Sequence, residues 1–254
     1  MSRRTAVQAF GDVVIVGGGC YGSYYVRQLQ RAARAGAVTA HRLIVVDRDA
    51  TCRVVTQLND ARDEPWPLPV VVQQQDWREF FALYLTAACE HGAGARDAIV
   101  PSPLMPHLMA EWLIERARSR WPTRTVSVEP LDAVPDVPWS RAGTDATHYV
   151  SFATWMCPVN CIEPHVCPHT GGHRTWSLPV TISAHARGRQ DIDTGAASVV
   201  LHCTHRAYGV GMFDTADVVG AERAIAAAAE RGRTDVLIGT VSHCHGALTR
   251  VVIS

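Results

Sequence analysis

Three cysteines of one short loop have a spacing that is suited to binding a metal. The stretch WMCPVNCIEPHVCPHTGGHRTW contains Cys157, Cys161 and Cys167. Thiolates so close together can reach one cation, and thiolates select zinc, copper(I) or iron–sulfur clusters. The C-x3-C-x5-C spacing matches neither the usual zinc ribbon nor the usual ferredoxin pattern. We therefore predict that these cysteines bind zinc or an iron–sulfur cluster, the alternative being a structural loop with unliganded thiols.

Two apolar segments of the same half of the chain end in paired histidines and cysteines. ASVVLHCTH ends in His202 and Cys203, and DVLIGTVSHCH ends in His243 and Cys244. An alanine-rich helical segment, Thr215–Arg231, separates them. A strand–helix–strand connection makes the strands parallel, so both ends should lie at one sheet edge. We predict these four residues to be catalytic, with Cys203 or Cys244 as the fourth metal ligand. A hairpin after Cys244 would instead place that cysteine at a turn.

A glycine motif near the start of the chain has the pattern of a phosphate-binding turn. VVIVGGGCYGSYY supplies G-x-G-x-x-G after a β-branched strand and before a helical segment. The second predicted strand ends in Asp47, where a carboxylate can accept hydrogen bonds from ribose hydroxyls. The predicted dinucleotide-binding residues are Gly17, Gly18, Gly19, Cys20, Tyr21, Gly22 and Asp47.

These features resemble the broad Rossmann superfamily of NAD- and FAD-binding domains, which includes the regulatory nucleotide-binding domains of potassium channels and transporters. The resemblance covers about the first hundred residues. It implies a bound dinucleotide, and the choice among NAD, NADP and FAD stays open at this stage. Asp47 favours NAD, because a carboxylate repels a 2′-phosphate.

The composition excludes several classes of protein. All 24 basic residues are arginine, so Walker-type phosphate loops, Schiff-base enzymes and Tyr/Lys reductases are excluded, since each needs a lysine amine. Acidic and basic residues balance at 24 each, which argues against nucleic acid as a partner. No segment approaches the roughly 18 apolar residues of a membrane span. We expect a cytoplasmic protein with reduced thiols.

Apolar strands and helical segments alternate through the first half, from Asp12–Val16 to Thr125–Glu129. This alternation predicts an α/β fold with a doubly wound, mostly parallel sheet of Rossmann type and a Cys/His-rich C-terminal half. A proline-rich stretch after Pro130 predicts a linker. The expected domains are therefore residues 1–130, which bind the dinucleotide, and residues 131–254.

Together these features predict an NAD(P)-dependent redox protein that couples a dinucleotide to a cysteine-ligated metal or iron–sulfur centre. Its partner would be a small-molecule substrate or a redox partner. The alternative is a regulatory module that senses NAD(H) and has a structural metal site. A methyltransferase-like binder of an adenosyl cofactor is disfavoured, because the first strand lacks the acidic G-x-G pattern of that class.

Overall fold

The computed structural model of the chain describes residues 7–60, 65–92, 94, 96–158, 161–188 and 196–254. They form two compact units, each with its own sheet. Unit 1 comprises Met1–Met105 and His205–Val219, and unit 2 comprises Pro106–Thr204 and Gly220–Ser254. This division follows the packing of the chain, whereas the boundary expected near residue 130 follows composition.

The sheet of unit 1 combines four parallel strands with a hairpin. Its elements are β1 (Gln8–Val16), α1 (Cys20–Arg34), β2 (Val38–Asp47), α2 (Arg53–Asp60), β3 (Val70–Gln74), α3 (Trp77–His91), β4 (Ala98–Val100), β9 (Thr204–Ala207) and β10 (Val210–Asp214). The strand order is β3-β2-β1-β4-β10-β9. The first four strands are mutually parallel, and β10 is antiparallel to β4. Val26 and Leu29 of α1 are fully buried with Ile15 and Val45 in the core of this unit.

The sheet of unit 2 is mainly antiparallel. Its elements are α4 (Leu108–Arg120), β5 (Val126–Glu129), β6 (Trp139–Ala142), β7 (His148–Ser151), α5 (Leu178–Gly188), β8 (Ala197–His202), β11 (Thr234–Val241) and β12 (His245–Ile253). The order is β6-β7-β12-β11-β8, and β5 also pairs with β12. The β11–β8 pairing is parallel, whereas β6–β7, β7–β12, β11–β12 and β5–β12 are antiparallel. A last helix, α6 (Thr215–Ala229), begins in unit 1 and continues into unit 2.

The predicted doubly wound, mostly parallel sheet is wrong, because the described residues form two mixed sheets. The physical reason lies in short turns that reverse the chain. Tyr208 and Gly209 join β9 to β10 with φ values of 48° and 79°, and two consecutive positive φ values are typical of a tight hairpin turn. A second short connection, Ser242–Cys244, joins the antiparallel strands β11 and β12.

Several individual elements agree with their predictions. Asp12–Val16 lies within the strand β1, and the alanine-rich helix begins at Thr215 as predicted. Thr125–Glu129 also contains a strand, but that strand pairs with β12 of the second sheet. The predicted linker contains the strand β6, whose residues are all exposed.

None of the helices in the described part of the chain is long and apolar enough to cross a membrane.

The fold predicts unequal effects of alanine at two glycines of the first turn. A Cβ atom on Gly22 would lie 1.7 Å from the Gly17 carbonyl oxygen, whereas one on Gly19 would meet no heavy atom within 4 Å. We expect Gly22→Ala to lower the free energy of unfolding by about 3 kcal/mol or more. Gly19→Ala, the matched control, should change it by less than about 1 kcal/mol. Urea denaturation followed by circular dichroism measures both, and equal stabilities would contradict the described turn.

Candidate functional site

The structure holds two groups of candidate site residues, one in each unit. The glycine turn of unit 1 consists of residues 17–22, which connect β1 to the first turn of α1. In unit 2, Ser242–Cys244 form the hairpin tip between β11 and β12. The cysteine loop, residues 157–158 and 161–177, contains the three loop cysteines and precedes α5.

Backbone hydrogen bonds hold the glycine turn in place. The Gly17 amide donates to the Val46 carbonyl oxygen at 2.9 Å, and the Gly18 amide donates to Asp47 Oδ2 at 2.6 Å. The Gly18 carbonyl oxygen in turn accepts from the Val54 amide at 3.1 Å. The turn is therefore fastened to the end of β2 and to α2, a helix that the sequence reasoning missed.

At three of the four glycine positions in this turn, the protein's own structure explains why the residue is glycine. Gly17 has a φ of +83°, which favours glycine. A Cβ atom on Gly18 would lie 2.3 Å from the sulfur of Cys52, and one on Gly22 would collide with Gly17. Gly19 differs, because it is exposed, has a φ of −75° and faces open space. No neighbouring atom of the described structure excludes a side chain at that position, although its ψ of −142° lies outside the backbone regions that other residues prefer.

The start of α1 is open to an external anion. Gly19 is the N-cap residue, and no side chain of the described residues caps this helix end. The first turn of α1 also has no acidic residue. Amides at a helix N-terminus attract anions, because they lack partners within the helix and carry the positive end of its dipole. Cys20 is exposed at this end, whereas Tyr21 packs against the core of unit 1.

The sequence predicts that the two strands ending in His/Cys pairs are parallel and end at one sheet edge, and the structure confirms this for the strands. β8 and β11 are parallel neighbours, and His202 pairs with Val241 at their carboxyl ends. The hairpin alternative is also correct, because β12 turns back along β11 and leaves Cys244 in the hairpin tip. The Cys203 amide donates to the Val241 carbonyl oxygen at 2.8 Å. The catalytic roles of His202, Cys203, His243 and Cys244 stay predictions.

Glu163 fastens the cysteine loop to the hairpin tip. Its carboxylate accepts hydrogen bonds from the Ser242 hydroxyl at 2.6 Å, the His243 amide at 3.1 Å and the Cys244 amide at 3.2 Å. Glu163 has a φ of +48°, an uncommon backbone conformation for a residue other than glycine. The Arg174 guanidinium donates to the Glu163 carbonyl oxygen, which holds this part of the loop from the other side.

Cys244 is buried beneath the cysteine loop, where the Trp176 indole N–H donates to its sulfur at 3.3 Å. Burial raises the pKa of the Cys244 thiol to about 11, and the charge of Glu163 acts in the same direction. A thiol with that pKa is protonated at neutral pH and is a poor nucleophile.

Three histidines at this edge have defined neighbours. The ring of His202 meets the ring of His243 edge to face, with 4.6 Å between centroids. His243 Nδ1 is hydrogen-bonded to the Ser177 hydroxyl at 3.2 Å, and His245 Nδ1 to the Ser151 hydroxyl at 3.1 Å. The β8 end, the hairpin tip and the start of α5 therefore share one polar cluster.

The three cysteines of the loop have contrasting environments. Burial raises the pKa of Cys157, and the charge of Cys161 raises it further. Hydrogen bonds from the backbone of Thr170 and of His169 lower the pKa of Cys167. In their described positions, no three or more His, Cys, Asp or Glu side chains form a group that could hold a metal ion.

The sequence reasoning missed the residues that organise this site. Glu163 and Trp176 contact Cys244, and Ser177 contacts His243. Glu163 lies between Cys161 and Cys167, whereas Trp176 and Ser177 lie directly before α5, and this place within or just after the cysteine-rich segment is the signal that could have found them. Neither helical nor strand periodicity marks them, because they lie in an irregular loop.

The chain is a mixed α/β protein in which hydrogen bonds join the cysteine loop to the tip of the β11–β12 hairpin. A family model described as "Uncharacterized protein, C-terminal domain" (AF_1314_C) matches residues 109–254. This match covers more than half of the 254 residues, and the chain belongs to that family. The matched segment contains both the cysteine loop and the hairpin tip. No curated protein and no solved structure matches the chain.

The Glu163 contacts predict a large stability effect. Glu163→Ala should lower the free energy of unfolding by about 3 kcal/mol, because three donors of the hairpin tip lose their acceptor. Glu163→Gln should lower it less, since one acceptor oxygen remains. Glu230→Ala is the control, because Glu230 is exposed and its ion pair with Arg120, at 3.3 Å, should contribute less than about 1 kcal/mol. Thermal unfolding measures all three, and equal midpoints for Glu163→Ala and Glu230→Ala would contradict this role.

Proposed function

We propose that the chain is a redox protein that binds a nicotinamide dinucleotide at the glycine turn of unit 1. The observation that carries this proposal is Gly19, which is exposed and where a Cβ atom would meet no heavy atom of the protein within 4 Å. A pyrophosphate that approaches the backbone closely would use this space, which a Cβ atom would occupy.

The uncapped start of α1 supports the same proposal. Serine, aspartate or asparagine as the N-cap residue would hydrogen-bond an amide of the first turn and stabilise the helix by about a few tenths of a kcal/mol relative to glycine. α1 has glycine there and no acidic residue in its first turn, so its amides stay available to a ligand. A pyrophosphate in this position would accept hydrogen bonds from those amides.

Asp47 supports NAD as the preferred dinucleotide. Its carboxylate accepts from the Gly18 amide through Oδ2 and from the Asp49 amide through Oδ1. A carboxylate has about four acceptor positions, so it can also accept from ribose hydroxyls. Arg48, which could attract a 2′-phosphate, lies over the Trp77 ring at 5.4 Å and 3.7 Å from Asp76.

The reaction class that follows is hydride transfer between nicotinamide and a small-molecule substrate or redox partner. We place the protein in the cytoplasm, where NAD(H) is available and thiols stay reduced. The second candidate function is a regulatory NAD(H) sensor. The open turn supports it equally well, because binding alone requires only the phosphate and ribose contacts. Turnover of NADH with any acceptor separates the enzyme from the sensor.

Gly19→Val tests the proposed pyrophosphate position. NADH should bind the unmodified protein with a Kd in the micromolar range or below. The substitution should weaken binding at least about tenfold, which corresponds to about 1.4 kcal/mol. NADH fluorescence titration measures the affinity, and circular dichroism verifies the fold of the variant.

A graded pair of variants sharpens this test. Gly19→Ala adds only the Cβ atom and should weaken NADH binding less than valine does. Gly36→Ala is the control, because Gly36 follows the other end of α1. It should leave NADH affinity unchanged despite some backbone strain from its φ of +68°. Unchanged affinity in a folded Gly19→Val protein would refute the phosphate-binding turn.

Asp47→Asn tests the choice of dinucleotide. Asparagine keeps an oxygen for the Gly18 amide but removes the charge that repels a 2′-phosphate. NAD should bind the unmodified protein more tightly than NADP, and the ratio of the two affinities should fall several-fold in the variant. Calorimetric titration with both nucleotides measures the ratio. Tighter binding of NADP to the unmodified protein would contradict the role of Asp47.

A further inference from the structure

Two serine–histidine pairs lie at the sheet edge of unit 2. His243 Nδ1 is hydrogen-bonded to the Ser177 hydroxyl at 3.2 Å, and His245 Nδ1 to the Ser151 hydroxyl at 3.1 Å. A hydroxyl that is hydrogen-bonded to an imidazole nitrogen can lose its proton to that nitrogen and attack a carbonyl carbon. The surroundings of the two hydroxyls decide which pair is suited to this chemistry.

The hydroxyl of Ser151 is occupied by the fold. Ser151 is buried, and its hydroxyl donates to the carbonyl oxygens of Ala153 at 2.8 Å and Cys244 at 3.2 Å. The same oxygen accepts from the Ala153 amide at 2.9 Å. A hydroxyl has one proton to donate and two acceptor positions, so these contacts and the one with His245 use its capacity. The Ser151–His245 pair is therefore structural, and it provides a matched comparison.

The hydroxyl of Ser177 is less constrained and lies at a helix N-terminus. Within the part of the chain that the structure describes, it is bonded to the His243 ring alone, and Ser177 is only partly buried. Ser177 directly precedes α5, and its carbonyl oxygen accepts from the Thr181 amide at 3.0 Å. The positive end of the helix dipole therefore lies where the negative charge of a tetrahedral intermediate would develop.

Contacts to its backbone and to its ring hold His243 in place. Its amide donates to the Glu163 carboxylate at 3.1 Å, and its carbonyl oxygen accepts from the Leu178 amide at 3.0 Å. Its ring meets the ring of His202 edge to face, with 4.6 Å between centroids. These contacts fix the imidazole beside the Ser177 hydroxyl, and such preorganisation removes the cost of orienting the reacting groups.

We infer that Ser177 and His243 are the nucleophile and the general base of an acyl-transfer site for esters or thioesters, which is independent of the glycine turn and its proposed dinucleotide. The Ser177 oxygen bonds to the acyl carbon, and its proton passes to His243 Nδ1 of the tautomer protonated at Nε2. The bond to the leaving alcohol or thiol breaks, and that group takes the proton from His243. Water then attacks the acyl-serine, the proton returns through His243 to the Ser177 oxygen, and the carboxylic acid leaves.

A fluorophosphonate probe tests the activation of Ser177, because an activated serine oxygen displaces the fluoride and bonds to phosphorus. We expect a label on Ser177, as located by mass spectrometry after proteolysis. Ser177→Ala should remove this label, and His243→Gln should slow labelling at least about a hundredfold, which is the contribution of a general base. Ser151→Ala, the matched control, should be labelled as fast as the unmodified protein. Circular dichroism verifies the fold of each variant.

An activated ester tests the acyl transfer itself. When turnover of p-nitrophenyl acetate is stopped with acid, mass spectrometry should find an acetyl group on Ser177. Unfolding in urea before the reaction should abolish both modifications, because the native geometry activates the hydroxyl.

The unmodified protein keeps the test decisive if a variant fails to fold, since the position of each modification requires no substitution. Absence of both modifications from the native protein, their placement on residues other than Ser177, or equal labelling of Ser177 after unfolding would each overturn the proposal. Equal labelling rates in the unmodified protein and a folded His243→Gln variant would also overturn it.

Discussion

The hydrogen bond from the Gly18 amide to Asp47 is the contact on which the glycine turn depends. At 2.6 Å it joins the second residue after β1 to the end of β2. It also fixes the carboxylate beside the start of α1, so that one side chain both shapes the turn and remains able to accept from a ribose. The internal structure then explains Gly17, Gly18 and Gly22, whereas Gly19 faces open space and is the position at which we propose that a ligand binds.

Unit 2 is also held together at its candidate site by a carboxylate that accepts hydrogen bonds from backbone amides. A carboxylate again accepts backbone amides, but here Glu163 holds a loop and a hairpin tip together instead of two consecutive elements. The parallel pairing of β8 with β11 sets the position of His202, and the reversal into β12 sets that of Cys244. Burial then raises the pKa of the Cys244 thiol to about 11, so this thiol is protonated at neutral pH.

The sequence pattern correctly predicted those elements whose formation depends on neighbouring residues. The apolar run before Gly17 is a buried strand, and the helix after it begins at Cys20. The overall sheet was not predictable in the same way, because strand direction depends on turns. Tyr208–Gly209 reverses the chain through positive φ values, and neither residue belongs to an apolar periodic pattern that marks such a reversal. Glu163 was missed because its partners lie about 80 positions away in the sequence.

The central claim is that the exposed backbone of the glycine turn receives a dinucleotide, and amide NMR tests it directly. In protein labelled with ¹⁵N-glycine, addition of NADH should shift the amide signals of Gly18, Gly19 and Gly22 most strongly. The signals of Gly239 and Gly246, which lie in strands of unit 2, provide an internal reference. Saturable shifts confined to the glycine turn are the result that we predict. Unchanged glycine-turn signals at millimolar NADH would contradict the account.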